Sequence, residues 1–157
     1  MQTAYIALGA NIPSPAGSPS DTLDAAIHHL SELGLVTARS SYHSTEPVGY
    51  ADQPAFLNAA VALETSLDPH TLLDRLMEIE RSFGRDRSHS IPNGPRTLDL
   101  DLILYGDVVL GTQDLQLPHP RMAGRAFVLV PLAEIAAGQV HPQLQKTVSQ
   151  LLEDLSR

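Results

Sequence analysis

The order of apolar and polar residues along the chain predicts alternating strands and helices. Short apolar runs bounded by glycine or proline predict strands over Thr3–Gly9, Leu35–His43, Phe56–Thr65, Leu98–Tyr105 and Val108–Leu110. Apolar residues spaced three and four apart predict helices over 20–33, 68–83, 127–135 and 147–155. The resulting order predicts an α+β fold, a ferredoxin-like βαββαβ sandwich with helices on one face of the sheet and extra C-terminal helices.

Two long polar segments interrupt this pattern. Ser44–Pro54 contains two prolines and a glycine, and residues 84–97 are rich in Arg, Ser, Pro and Gly. Both segments are longer than the usual connection of about four to six residues, and long loops in compact domains tend to carry function. We therefore expect them to be active-site loops.

Composition limits the class of protein. A chain of 157 residues that is 43% hydrophobic fits a single domain over residues 1–157. The absence of cysteine excludes a disulfide framework and a thiolate metal site. No apolar run has the length of a membrane span, and no signal peptide pattern is present, so we expect a cytoplasmic protein with no membrane partner. The net charge of −8 argues against nucleic-acid binding.

Two carboxylates stand out within the apolar strand predicted over Leu98–Tyr105. Strand alternation places Asp99 and Asp101 on one face and the neighbouring leucines on the other. The strand is too apolar for a solvent-facing edge strand, and two adjacent like charges need a cation to offset them. Mg²⁺ typically takes one or two carboxylates together with substrate phosphates. We predict a metal site here, and the spacing allows one ion or two.

Arginines flank this candidate metal site. Half of the ten Lys and Arg residues lie in two nearby segments, and these are Arg85, Arg87, Arg96, Arg121 and Arg125. The guanidinium group forms fork-shaped hydrogen bonds to phosphate. An acidic protein with arginines grouped beside two carboxylates is therefore predicted to bind a small polyanion.

Glu80 breaks the pattern of the helix predicted over residues 68–83. At 100° per residue it falls inside the apolar arc of that helix. A carboxylate that faces a core is costly unless it is paired or used. An ion pair with a nearby arginine and a contact with a ligand explain its position equally well.

An aromatic and an amide share one face of the strand predicted over Phe56–Thr65. Phe56 and Asn58 are two residues apart, and such a pair suits a planar, hydrogen-bonding heterocycle. Core packing is the simpler explanation for Phe56 and for Phe127. His119, in a turn fixed by two prolines, would by itself be taken as a surface histidine.

Four segments in order resemble one family. Gly94–Gly106 is similar to the signature of the 6-hydroxymethyl-7,8-dihydropterin pyrophosphokinases of the folate pathway. Ala4–Asn11, Asp52–Thr65 and Leu117–Phe127 resemble the other motifs of that family. The likeness extends over nearly the whole chain.

The resemblance implies transfer of pyrophosphate from ATP to the pterin hydroxymethyl group, with release of AMP, by a monomer that binds these two small molecules. It implies that Asp99 and Asp101 hold two Mg²⁺ ions and that Arg85 and Arg96 assist the transfer. The implied ATP-binding residues are Glu80, Arg87, Arg96, His119 and Arg125. The implied pterin-binding residues are Thr45, Val48, Phe56, Asn58 and Phe127.

Two other functions remain open on the sequence. A ferredoxin-like sensory module would bind a small ligand without catalysis, but it leaves the Asp pair unexplained. A divalent-metal nuclease would use the same carboxylates, and it should carry more acidic ligands and act on nucleic acid. Formation of AMP from ATP in the presence of the pterin distinguishes the three.

Overall fold

A central antiparallel sheet organises the residues that the computed structural model describes, namely 1–46, 53–85 and 95–156. Its strands are β1 (Gln2–Ala10), β2 (Leu35–Arg39), β3 (His43–Thr45), β4 (Phe56–Thr65) and β5 (Asp99–Tyr105). The two-residue strands are β6 (Leu110–Gly111), β7 (Gln116–Leu117), β8 (Val140–His141) and β9 (Lys146–Thr147). The helices are α1 (Pro19–Leu30), α2 (Pro69–Ser82), α3 (Ala126–Ala136) and α4 (Val148–Leu155), with a short 3₁₀ helix over Met122–Gly124.

The central strand of the sheet is β1, which pairs with β4 on one side and β5 on the other. The strand order is β2-β4-β1-β5, β3 pairs with the end of β4, and every pairing is antiparallel. The register aligns Asn58, Gly9 and Asp99 in one row across the sheet. The predicted α+β class is confirmed, and the structure shows that its sheet is antiparallel.

Two apolar cores cover the two faces of the sheet. The core against α1 and α2 includes Ile6, Leu8, Leu23, Leu30, Val61, Leu63, Leu72, Leu76, Leu100 and Leu102. The core against α3 and α4 includes Ala60, Ile103, Leu104, Met122, Val128, Leu129, Leu132, Val148 and Leu151. Helices therefore lie on both faces rather than on the one face that was predicted. None of the described helices combines the length and hydropathy needed to cross a bilayer.

Capping residues mark the starts of α1 and α2. The side chain of Asp68 accepts a hydrogen bond from the backbone N–H of Thr71, and Pro69 occupies the first turn of α2. Ser18 and Asp21 form a capping box at the start of α1. The start of α2 at Asp68–Pro69 is confirmed.

Two predicted strands differ in extent. The strand predicted over Leu35–His43 is divided into β2 and β3 because Ser40 leaves the regular ladder. Its N–H donates to the carbonyl of Ala60, and its hydroxyl accepts from the N–H of the same residue, both at 2.9 Å. The run predicted over Val108–Leu110 contributes only Leu110 to a strand, since the N–H of Val108 closes a turn onto the Tyr105 carbonyl.

The position of β5 differs from the expectation that this strand is too apolar to lie at an edge. Among the described strands β5 pairs only with β1, so this apolar strand lies at the edge of the sheet. Its outer side is nevertheless covered: the N–H of Leu100 donates to the carboxylate of Glu80 at 2.8 Å. Further along, the carbonyl of Ile103 accepts from the N–H of His119 at 2.9 Å. Side-chain and loop contacts thus replace the missing neighbouring strand.

We predict that Gly34→Ala destabilises the fold. A Cβ at Gly34 would lie 2.2 Å from the carbonyl oxygen of Glu64 in β4, so the α1–β2 turn would have to shift. We expect the free energy of unfolding to fall by about 1–3 kcal/mol, measured by urea denaturation. Gly138→Ala is the matched control, because no atom lies within 4 Å of the added Cβ. Equal effects of the two substitutions would contradict the packing argument.

Candidate active site

The two carboxylates of β5 lie on one face of the sheet, as the alternation predicts. Leu98, Leu100 and Leu102 are buried, whereas Asp99 and Asp101 are partly exposed. Both carboxylates line a cavity of about 430 Å³, called the central cavity below.

The central cavity brings together most of the residues predicted for the site. Those that line it are Thr45, Phe56, Asn58, Arg85, Arg96, Asp99, Asp101, His119, Arg125 and Phe127. They come from strands β3, β4 and β5, from helix α3 and from the connecting segments. Val48 and Arg87 fall outside the described residues. Glu80 does not line the cavity.

The floor of the central cavity consists of small residues of β1. Gly9 lies between Asn58 and Asp99 in the register, and Ala7 is paired with Asp101. A Cβ at Gly9 would lie 3.3 Å from Oδ1 of Asn58, closer than an ordinary contact. The small side chains therefore leave room for a ligand between the polar residues of β4 and the carboxylates of β5.

Positive charge surrounds the carboxylates. Arg85 follows α2, Arg96 precedes β5, and Arg125 is the N-cap residue of α3. All three line the central cavity together with Arg121, which the sequence analysis counted among the grouped arginines but did not assign to the site. The Leu-Pro-His-Pro-Arg order, which puts Arg121 two residues after His119, was the available signal.

His119 is held as a neutral imidazole. Its Nδ1 accepts a hydrogen bond from the backbone N–H of Arg121 at 3.1 Å, so the ring proton resides on Nε2. Burial, followed by the charges of Arg125 and Arg121, lowers the pKa of His119 to about 4, while the charge of Asp99 opposes the shift. At neutral pH His119 therefore offers an N–H donor that carries no charge.

Glu80 has a structural partner at the edge of β5. It is 1% exposed, and its carboxylate accepts the N–H of Leu100, between the two aspartates of the strand. This contact explains why a carboxylate lies on the apolar arc of α2. The ATP contact implied by the family resemblance stays a prediction.

The amide of Asn58 is oriented by a neighbour. Its Nδ2 donates to the hydroxyl of Thr45, so Oδ1 remains as the acceptor. Asn58 is 6% exposed, in a row with Gly9 on the cavity floor. The wall opposite is formed by Phe127, whose ring centroid is 5.4 Å from the guanidinium carbon of Arg125. An aromatic ring and a fixed acceptor thus line the same cavity.

Asn11 is a functional candidate that the sequence analysis missed. Its side chain accepts the N–H of Arg96 at 2.8 Å and donates to Oε1 of Gln53 at 2.8 Å and to the Pro54 carbonyl at 3.0 Å. One buried amide therefore joins the described ends of both segments that were predicted to be active-site loops. The Gly-Ala-Asn ending of the first strand was its only signal.

The carboxylates at β5 suit Mg²⁺, which can take its remaining ligands from substrate and water. They do not suit a metal that is held by protein ligands alone. Within residues 1–46, 53–85 and 95–156 no group of three or more His, Cys, Asp or Glu side chains could enclose an ion. Asp99 and Asp101 supply two carboxylates on one face. Mg²⁺ commonly completes such a set with water and substrate phosphates, and the surrounding arginines suit those phosphates.

An α+β domain whose cavity combines paired carboxylates, arginines and an aromatic wall is suited to a metal-bound polyphosphate beside a planar acceptor. Comparison with known proteins gives the family. Residues 5–137 match the model of 7,8-dihydro-6-hydroxymethylpterin-pyrophosphokinase (HPPK), and the chain belongs to this family.

Named relatives agree with this assignment. The chain is 46% identical over 145 residues to a 2-amino-4-hydroxy-6-hydroxymethyldihydropteridine pyrophosphokinase of Haemophilus influenzae, covering 92% of this chain and 88% of the relative. It is 47% identical over 134 residues to the protein of that name from Bacillus subtilis, covering 84% of this chain and 77% of the relative.

Solved structures share the fold. The wild-type Plasmodium falciparum HPPK-DHPS with SDX-DHP superposes with a TM-score of 0.71 at 16% identity over 98% of this chain. The same protein with STZ-DHP gives a TM-score of 0.73 at 16% identity. This chain spans 43% of either of those longer chains.

We predict that His119 makes the folded protein less stable in weak acid than at neutral pH. Its pKa is about 4 in the folded protein and about 6.5 when unfolded, so between these values the unfolded chain binds more protons. The free energy of unfolding should therefore fall as pH decreases from 6.5 to 4. His119→Asn keeps an acceptor for Arg121 and should reduce that fall, measured by urea denaturation at pH 5 and 7.5. An unchanged pH dependence would contradict the assignment.

Proposed function

We propose that the chain transfers the pyrophosphoryl group of ATP to the hydroxymethyl group of 6-hydroxymethyl-7,8-dihydropterin, a step of folate biosynthesis. The observation that carries the proposal is the central cavity of a member of this family, in which Asp99 and Asp101 lie across a small-residue floor from Asn58 and Phe56. One side of the cavity suits a metal-bound polyphosphate, and the other suits a planar ring. The relatives named above carry this activity in their names.

Asp99 and Asp101 would hold the magnesium, with two ions expected. When bound, Mg²⁺ neutralises phosphate oxygens and orients the phosphate chain. The carboxylates are suited to this task because the strand pairing with β1 fixes both on one face.

The transfer is an in-line attack of the pterin hydroxyl oxygen on the β-phosphorus of ATP. A new O–P bond forms, the bond between the β-phosphorus and the α-β bridging oxygen breaks, the hydroxyl proton passes to solvent, and AMP leaves. Such a reaction depends on positioning and on stabilisation of charge, so a protein nucleophile is not required. Arg85 and Arg96 bind phosphate oxygens and offset the charge that develops on the departing AMP.

The nucleotide side of the site uses His119 and Arg125, with Arg87 and Glu80 as further expected contacts. Neutral His119 donates from Nε2, because Nδ1 is engaged by the N–H of Arg121. Arg125 supplies a permanent charge from the N-cap position of α3. A neutral donor next to a fixed cation suits a ligand that carries both hydroxyl and phosphate oxygens.

The pterin side uses Phe56 and Phe127 as the two flat walls, with Val48 as a further expected contact. Offset stacking against aromatic rings favours a planar heterocycle. Thr45 holds the amide of Asn58, so that Oδ1 of Asn58 accepts from the amino or ring N–H of the pterin. This fixed acceptor determines which hydrogen-bonding edge of the pterin ring faces Asn58.

We also propose the finer fold and setting of the enzyme. The order β2-β4-β1-β5, with α1 between β1 and β2 and α2 between β4 and β5, fits a ferredoxin-like sandwich extended by the C-terminal helices. A single domain over 1–157, acting as a monomer in the cytoplasm without nucleic-acid or membrane partners, agrees with the composition and the charge of −8.

The proposal is tested by incubating the protein with ATP, Mg²⁺ and 6-hydroxymethyl-7,8-dihydropterin and measuring AMP and the pterin diphosphate. Stoichiometric formation of both that requires magnesium is the expected result. Binding of the pterin without AMP would support the sensory module instead. Cleavage of an added oligonucleotide without pterin diphosphate would support the nuclease.

We predict that Asp99→Asn lowers the rate of AMP formation by more than about 100-fold. The substitution removes one charge from the magnesium site, so phosphate positioning and charge neutralisation are both weakened. Asp107→Asn is the control, because Asp107 is an exposed carboxylate just beyond the end of the same strand. If Asp99→Asn retained the rate of the control at saturating magnesium, the metal assignment would be wrong.

We predict that Asn58→Ala raises KM for the pterin by about tenfold and leaves KM for ATP within about twofold. The change removes the acceptor expected to bind the pterin edge, a loss of about 1.4 kcal/mol in binding. Steady-state kinetics with each substrate varied in turn measures both constants. A rise in KM for ATP alone would contradict the placement of the two substrates.

A further inference from the structure

The carboxylate of Glu134 in α3 accepts several hydrogen bonds from the chain between β2 and β3. The N–H of Ser41 donates at 3.0 Å, and the hydroxyl of Ser41 lies 2.9 and 3.1 Å from its two oxygens. Nε2 of His43, the first residue of β3, contacts Oε2 of the same carboxylate. The Ser41 N–H, followed by His43, holds the pKa of Glu134 below its ordinary value, so the carboxylate is charged at neutral pH.

These contacts lie beside the pterin side of the central cavity, on the same face of the sheet. His43 is the register partner of Asn58, and Thr45 is the partner of Phe56, so all four share one face of the sheet. Thr45, Phe56 and Asn58 line the cavity, whereas His43 lies in the same row as Asn58 but does not line it. The bridge to α3 therefore meets the sheet next to the residues that orient the amide of Asn58.

Helix α3 carries the opposite wall of the same cavity. Glu134 follows Phe127 by seven residues in α3, which is about 10 Å, or two turns, along the helix axis. The helix is thus held to the β3 edge at Glu134, while Phe127 projects from its first turn into the cavity lining. A ring that stacks between Phe56 and Phe127 needs a set distance between sheet and helix.

We infer that Glu134 and His43 are positioning residues for the pterin site: their bridge sets the spacing between the wall on α3 and the wall on β3 and β4. This inference rests on the function proposed above. Neither residue lines the cavity, so neither is expected to touch a substrate.

The bridge is suited to control of geometry more than of stability. The side chains of His43 and Glu134 are 30% and 36% exposed. Even a salt bridge with this degree of exposure contributes little to the free energy of unfolding. Loss of the bridge should therefore change the binding of the pterin without unfolding the protein.

The test compares Glu134→Ala and Glu134→Gln in the full chain. Pterin affinity is measured by titration of its intrinsic fluorescence in the presence of a non-hydrolysable ATP analogue, and KM is measured for both substrates. Glu134→Ala should weaken pterin binding by about tenfold and leave KM for ATP within about twofold. Glu134→Gln keeps an acceptor for the donors of Ser41 and should recover most of the pterin affinity.

Asp114→Ala is the matched control. Asp114 also pairs with a histidine and a threonine hydroxyl, His70 and Thr112, but it joins α2 to the β6–β7 hairpin outside the central cavity. The control should bind the pterin as the unmodified chain does.

Unchanged pterin affinity in Glu134→Ala would overturn the inference, as would an equal loss of affinity for ATP and pterin. A Glu134→Gln variant as weak as Glu134→Ala would also contradict it. If the unmodified chain itself formed no AMP and bound no pterin, the proposed function would fail, so the two failures are distinguishable.

Discussion

The pairing of β1 with two neighbours is the constraint on which the site depends. Because β4 and β5 both run antiparallel to β1, the register places Asn58 and Asp99 on either side of Gly9. These two side chains, 41 residues apart in sequence, thereby face one cavity across a glycine, which has no side chain. A slip of one residue in either pairing would turn that strand's polar groups into the core against α1 and α2. The site on this face of the sheet is therefore assembled when the strands pair in register.

The edge position of β5 imposes a second constraint, since an edge strand exposes backbone groups that need partners. Glu80 meets the N–H of Leu100, and His119 meets the carbonyl of Ile103. Glu80 comes from α2, and His119 lines the central cavity. The strand that carries the carboxylates is thus held by contacts on both sides, which keeps the two aspartates in place without a second neighbouring strand.

The sequence predicts well those features that follow from the local periodicity of apolar and polar residues. Leu-Asp-Leu-Asp-Leu predicts the shared face of Asp99 and Asp101, and Asp68–Pro69 predicts the start of α2. Contacts between distant segments could not be predicted in this way. The acceptor role of Glu80 depends on a strand twenty residues further on, and the bridge from Glu134 reaches back to Ser41. Periodicity could not show which distant residues meet in the folded chain, so those expected site residues came from the family resemblance.

The hydrogen bonds of the Asn11 amide affect where the chain can tolerate insertions. Because the same side chain holds Gln53 and Pro54 on one side and Arg96 on the other, the two long loops end at a shared anchor. Residues inserted into either loop ahead of that anchor leave the alignment of the following strand intact. An insertion between the anchor and β4 or β5 would instead shift a whole strand against β1. Variation in loop length among functional relatives should therefore be confined to the amino-terminal side of Gln53 and of Arg96.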